Sequence, residues 1–140
     1  MTLVPRREVF ERAGAVALER AHTGRMSYLA GMAAEGCVAA EYVSRGYDLL
    51  ESRWRGRRGE IDLIFADGDD VVLVEVKKSR DVATAMSRIT PAQMRRLFAT
   101  AEEYVGTRPK GALTDMRFDV ALVDGHGQVS VVENAFCGWI

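Results

Sequence analysis

The chain has 140 residues, 48% hydrophobic and 28% charged, which is the composition of one globular domain with room for a sizeable core. Its formal net charge of −1 excludes a globally basic nucleic-acid binder, although many arginines and lysines crowd the middle of the chain. Cys37 and Cys137 form no CxxC pair and the two histidines lie far apart, which argues against structural zinc.

No apolar run approaches a membrane span. Ala13–Leu18 is closed by Arg12 and Glu19, too short and too charged at its ends for a signal peptide. The chain therefore reads as cytoplasmic with reduced thiols and no membrane partner.

Val9, Phe10, Ala13, Val16 and Ala17 recur at helical spacing, so residues 1–27 read as an N-terminal helical extension to a domain over 28–140. An alanine-rich helix is expected over Ser27–Arg45, stopped by Gly46. Glu35 shares a helix face with Val38, Ala39 and Tyr42. Pattern alone has Glu35 pointing to solvent or pairing with an arginine. Tyr47–Trp54 reads as the first strand. Arg55-Gly56-Arg57-Arg58-Gly59 follows as a basic turn, equally suited to solvation or to forking onto phosphate oxygens.

The stretch from Gly59 to Arg80 is a hairpin. Two runs of strand formers, Ile61–Ala66 and Val71–Val76, flank Gly68-Asp69, a two-residue turn signal. That turn sets Asp67 opposite Asp70, Asp62 opposite Glu75 and Glu60 opposite Lys77. Strand alternation then gives one face of Ile61, Leu63, Phe65, Val72, Val74 and Val76. The other carries Glu60, Asp62, Ile64, Ala66, Val71, Leu73, Glu75 and Lys77. A hairpin apolar on both faces is covered on both, and charges inside such a layer are costly unless paired or holding a metal. The pattern leaves two readings even: Lys77 paired with Glu60 or Asp62 as a structural ion pair, or a functional site.

Asp81–Ile89 reads as a polar connection. Thr90-Pro91-Ala92-Gln93 starts the next helix, with Thr90 as N-cap, Pro91 in the first turn and Gln93 completing a capping box. Met94, Leu97, Phe98, Ala101, Tyr104 and Val105 form its buried stripe, with Arg95, Arg96, Glu102 and Glu103 facing outward. Met116–Val123 and Gln128–Val132 are the last strands, joined by Asp124-Gly125-His126-Gly127. The fold class is α/β: an antiparallel meander, then a parallel strand after a crossover helix, in one mixed sheet flanked by helices.

Two carboxylates opposed across a hairpin can share one divalent cation, and oxygen donors suit Mg2+ (or Mn2+). Lys77 lies two residues beyond Glu75 on the same face, placed to orient water or to offset phosphate charge. Asp62 with Glu75-Val76-Lys77 resembles the PD-(D/E)xK nuclease signature. More of the chain is similar to the YraN family of small bacterial proteins. The matching stretches are Gly46-Tyr47, Arg53-Trp54-Arg55, Gly59-Glu60-Ile61-Asp62-Leu63-Ile64, Val74-Glu75-Val76-Lys77, Thr90-Pro91, Arg95-Arg96-Leu97, Arg117-Phe118-Asp119-Val120 and Glu133-Asn134-Ala135-Phe136. Ala34 stands where the family usually has glycine, and Lys77-Lys78-Ser79-Arg80 is a lengthened lysine-to-arginine step.

The resemblance implies a restriction-endonuclease-like fold, similar to archaeal Holliday-junction resolvases. It implies Asp62 and Glu75 as metal ligands, Lys77 as the catalytic lysine and Glu35 as a helix carboxylate of the site. It places Gln93 where resolvase-like relatives carry a glutamine, and it leaves Glu60 without a secure role. The function so implied is a Mg2+-dependent endonuclease acting on DNA, on branched or damaged structures, with Arg55, Arg57, Arg58, Lys78, Arg80 and Gln93 as nucleic-acid contacts and a homodimer as its assembly. The alternative is a non-catalytic nucleic-acid-binding or partner-recruiting module on the same fold.

Overall fold

The computed structural model describes residues 26–136. The helical extension expected over the N-terminal residues, and the docking expected of Trp139 and Ile140, lie outside the described residues. Helix α1 spans Met26–Ser44. It ends as its sequence demands: Gly46 is left-handed (φ 99°), Gly46 N–H donates to Val43 O at 3.0 Å and Tyr47 N–H donates to Tyr42 O at 3.1 Å. Those two bonds satisfy carbonyls that the last turn leaves open.

Strands β1 (Asp48–Arg55), β2 (Glu60–Asp67) and β3 (Asp70–Lys78) form the expected antiparallel meander. Gly68 (φ 62°) opens the two-residue turn, and Asp67 pairs with Asp70 as that turn requires. Helices α2 (Val82–Ser87) and α3 (Pro91–Val105) follow, then β4 (Met116–Val123) and β5 (Val129–Val132). Strand β4 joins β3 in parallel, β5 joins β4 antiparallel, and the sheet order is β1-β2-β3-β4-β5. This architecture is consistent with a restriction-endonuclease-like fold.

Both sheet faces are covered, as the hairpin pattern requires. On one, Leu63, Phe65, Val72 and Val74 meet Val38, Ala39 and Tyr42 of α1. On the other, Ile64, Val71 and Leu73 meet Met94, Leu97, Ala101, Tyr104 and Val105 of α3, with Phe118 and Phe136. Ala34 is buried in the first cluster, so the methyl that replaces the family's usual glycine is accommodated. Among the described residues no helix is long and apolar enough to cross a membrane.

The structure corrects the sequence reading at three places. Ile61 packs on the α3 side with Ile64, not with Leu63 and Phe65. Strict alternation fails there because the ladders are interrupted: β2–β3 pairing stops at Leu63↔Val74, and the β1–β2 pairs skip Arg53 and Asp62. The connection expected over Asp81–Ile89 contains α2, capped by Asp81, whose carboxylate accepts from Thr84 N–H at 2.8 Å. Gln93 does not complete a capping box. Thr90 Oγ1 accepts from Gln93 N–H at 3.1 Å, but the Gln93 side chain turns away towards Glu75.

One buried polar network ties α1 to β4. Asp119 is fully buried and accepts from Tyr42 Oη at 2.6 Å, from Arg117 Nε and Nη2 at 2.9 Å each, and from Asn134 N–H at 2.9 Å. Burial and the Asp119 carboxylate both push the Tyr42 hydroxyl well above the usual phenol range. Asp119→Ala strands the donors of Tyr42 and Arg117 and is expected to cost roughly 3–5 kcal/mol. Tyr42→Phe, which removes a single bond to a charged acceptor, is expected to cost about 1.5–3 kcal/mol. Urea unfolding of the two variants checks both the size and the order.

Candidate active site

The site forms at the open end of the β2–β3 hairpin. Asp62 Oδ2 accepts from Val76 N–H at 2.8 Å, so a side chain occupies a backbone donor just past the last paired rung. The bond holds the Asp62 carboxylate at Val76, the residue after Glu75. The Asp62 and Glu75 carboxyl groups lie close enough to perturb one another's ionisation. The register expected from the turn holds as far as Leu63↔Val74, and the Asp62–Glu75 and Glu60–Lys77 rungs expected beyond it are not formed.

Glu75 is 8% exposed. Its Oε2 lies 3.2 Å from Lys77 Nζ and 3.4 Å from Gln93 Nε2. Lys77 thus serves Glu75, its neighbour along the strand, and Glu60 pairs instead with Arg55 at 3.5 Å. Burial, then the charge of Asp62, push the Glu75 carboxyl up to about 7 against the pull of Lys77. Asp62 is likewise raised, chiefly by burial, and the Val76 N–H opposes the shift.

Glu35 reaches the same charge field from α1. Its Oε2 is 3.7 Å from Arg53 Nη1, and burial with the Asp62 charge pushes its carboxyl up to about 7. Pairing with an arginine, the plainer of the two readings, holds in part, while the shift shows that Glu35 also feels the site acids. Arg53 stands opposite Asp62 in a left-handed conformation (φ 54°), which a residue with a Cβ adopts only at a cost of about 1 kcal/mol.

Glu60, Asp62, Glu75 and Gln93 line one cavity of about 260 Å³ together with Gly59, Arg96, Leu97 and Thr100. The basic turn forms one rim. Arg57 N–H donates to Glu103 Oε1 at 2.9 Å, which docks the turn on α3. A Cβ on Gly56 would sit 2.6 Å from Glu103 Oε1 and 2.9 Å from Trp54, so only glycine allows this approach. The Arg57 and Arg58 side chains are exposed. Lys78 and Arg80 lie away from this cavity: Lys78 O accepts from Arg88 at 2.9 Å, and Arg80 lines a separate hollow with Ser79, Asp124 and Gln128.

Sequence reasoning missed Arg96 and Thr100 as cavity residues. Arg96 follows Gln93 by three positions and so shares its helix face, a signal present in the spacing. Thr100, almost fully buried, donates its hydroxyl to Arg96 O at 2.8 Å, and nothing in its local pattern marks it.

The donor set has a definite chemistry. Among the described residues no group of three or more His, Cys, Asp or Glu side chains is placed to hold a metal ion. A closed zinc or calcium cage is not what this site offers. Two adjoining carboxylates with an open cavity beside them fit Mg2+, which keeps several waters and takes one or two carboxylates plus substrate phosphate oxygens. Mn2+, also suited to oxygen donors, fits equally.

A family model for an uncharacterised protein family, UPF0102, matches residues 34–123, a span that contains Glu35, Asp62, Glu75, Lys77, Gln93 and Arg96. The chain belongs to UPF0102, the YraN family of the sequence resemblance. A UPF0102 protein of Roseobacter denitrificans is 56% identical over 116 residues, covering 83% of this chain and 90% of its own length. One from Ruegeria pomeroyi is 56% identical over 116 residues, covering 83% and 94%. A UPF0102 protein of Dinoroseobacter shibae is 42% identical over 119 residues, covering 85% and 89%.

The raised acids of this UPF0102 site make its stability pH-dependent. A carboxyl raised from 4.5 to about 7 on folding binds its proton more tightly in the folded state. Its stabilisation is therefore present below pH 4.5 and lost as pH rises through about 7. In chelator, the unfolding free energy read from urea titration is expected to fall between pH 5 and pH 8 by an amount on the order of a few kcal/mol. Glu75→Gln, which cannot ionise, should flatten that fall, and an unchanged slope would rule out Glu75 as its source.

Proposed function

We propose that this chain is a Mg2+- or Mn2+-dependent nuclease that hydrolyses phosphodiester bonds of DNA, on branched or damaged structures. The observation that carries the reading is that Asp62 and Glu75 line one cavity together and perturb one another's ionisation, with Lys77 3.2 Å from Glu75. Asp62 and Glu75 would hold the ion, which when bound supplies positive charge against the phosphoryl oxygens. Lys77 offsets charge on the phosphate or orients the attacking water once it leaves Glu75. Glu35, with a carboxyl near pH 7, takes or returns a proton at neutral pH, the property a general acid–base needs. The homodimer that the resemblance implies supplies two such sites for two strands.

One observation favours a second reading. Lys77 pairs with Glu75 without any ion, which is also what a structural ion pair does. On that reading the chain binds nucleic acid or recruits a partner without turnover.

Purified protein, tested on single-stranded, duplex, flap and four-way DNA with magnesium or manganese, separates the two. Cleavage should fall at least a hundredfold in Asp62→Asn and in Lys77→Ala. Magnesium should raise the melting temperature of the wild type by mass action and leave that of Asp62→Asn unmoved. Absence of cleavage, or equal cleavage by the variants, defeats the nuclease reading. DNA affinity that is steeply salt-dependent and indifferent to metal supports the binding module.

A further inference from the structure

We infer that Arg96 is the phosphate-binding residue of this cavity, the group that grips the substrate's backbone while the hairpin acids face it. The inference deepens the proposed nuclease reading and rests on it for the identity of the ligand. It starts from how the charges around the cavity are partnered. Of the acids there, Glu60 is taken by Arg55 at 3.5 Å, Glu75 by Lys77 at 3.2 Å, and Glu35, beyond the lining, by Arg53 at 3.7 Å. Asp62 takes the Val76 N–H at 2.8 Å.

Arg96 lines the same cavity as Glu60, Asp62 and Glu75, yet its guanidinium pairs with none of them and has no other partner among the described residues. An arginine paired with none of the acids beside it keeps its fork of donors available, and that fork matches phosphate oxygens in two-point contact. Gln93 and Arg96 are three residues apart on α3, so the helix face that sends an amide to Glu75 also sets Arg96 in the cavity lining. The helix is held against the sheet by Met94, Leu97 and Ala101, all buried, which fixes where both side chains start. The arginines of the basic turn are placed differently. Arg55 is committed to Glu60, and the turn docks on α3 through the Arg57 backbone, with the Arg57 and Arg58 side chains in solvent. Among the arginines around the cavity, Arg96 is therefore the one that lines it without an ion-pair partner among the described residues.

The test measures binding of fluorescein-labelled single-stranded and duplex DNA by the full chain in calcium across a salt series, and cleavage in magnesium. Arg96→Ala is expected to weaken binding roughly tenfold. It should also reduce the slope of log affinity against log salt by about 1. In the cleavage assay KM should rise more than kcat falls. Arg96→Lys should restore the slope, since the charge returns, but only part of the affinity, since the fork does not. Arg95→Ala removes a neighbouring exposed charge that does not line the cavity, and it should leave slope and KM as they are. Neither arginine is buried, so melting temperatures of the variants should match the wild type. Equal effects of Arg96→Ala and Arg95→Ala overturn the inference. A wild type that binds DNA through Arg96 but does not cleave it upholds the contact and sinks only the nuclease reading. A wild type that binds no DNA overturns both.

Discussion

The hydrogen bond from Val76 N–H to the Asp62 carboxylate is the constraint on which the rest of the site depends. A hairpin buried on both faces must satisfy its backbone donors without water. Past the Leu63↔Val74 rung the ladder no longer does so, and Asp62 supplies the missing acceptor from a side chain. The same substitution fixes where the acid stands. Without it the carboxylate would have no reason to lie against Glu75 in a layer that penalises both charges. Arg53, left-handed across from Asp62, shows the distortion continuing into β1. Strain of that kind persists only where surrounding contacts impose it, and here those contacts are the ones that assemble the acids.

Bringing two carboxylates together inside a covered sheet has a cost, which the structure offsets in three ways. Burial shifts Glu75 towards its neutral, protonated form, Lys77 lies against it, and Gln93 adds a weaker donor at 3.4 Å. Each of these is exchangeable. The proton can leave near neutral pH, the lysine side chain is long and flexible, and a glutamine amide costs little to turn. On the proposed nuclease reading a divalent cation would replace all three at one stroke, because each of these compensations is individually weak. An ion pair evolved only to stabilise the fold would gain from shorter and more numerous bonds, such as those around Asp119.

How far the sequence alone could go depended on the range of the interaction involved. The Gly68-Asp69 turn set the β2–β3 register as far as Leu63↔Val74, because a two-residue loop leaves no freedom. Periodicity found the α3 stripe of Met94, Leu97, Ala101, Tyr104 and Val105 for the same local reason. Ile61 went to the unexpected face because alternation presumes an unbroken ladder, and the break comes from a tertiary bond to Val76. Helix α2 is too short at six residues for a periodic signal, and only the capping Asp81 announced it. Gln93 fitted a local capping box, yet the distant Glu75 competed for its amide and won. The Tyr42–Asp119 bond joins residues 77 apart in sequence, beyond the reach of any pattern.

The two buried carboxylate centres of the described chain differ in one property that separates structure from chemistry. Asp119 receives donors from Tyr42, both sides of the Arg117 fork and the Asn134 backbone, all between 2.6 and 2.9 Å. Its oxygens are saturated, and a ligand would have to break a network that joins α1, β4 and the chain after β5. Asp62 receives one backbone N–H, and Glu75 receives a lysine and a long contact from Gln93. Both keep acceptor capacity facing a cavity. The sheet thus carries a fully satisfied acid that fixes the position of α1 and an under-satisfied pair that the fixed sheet presents to solvent. Because α1 also carries Glu35, the rigidity won at Asp119 is what keeps the third carboxylate within the field of the other two.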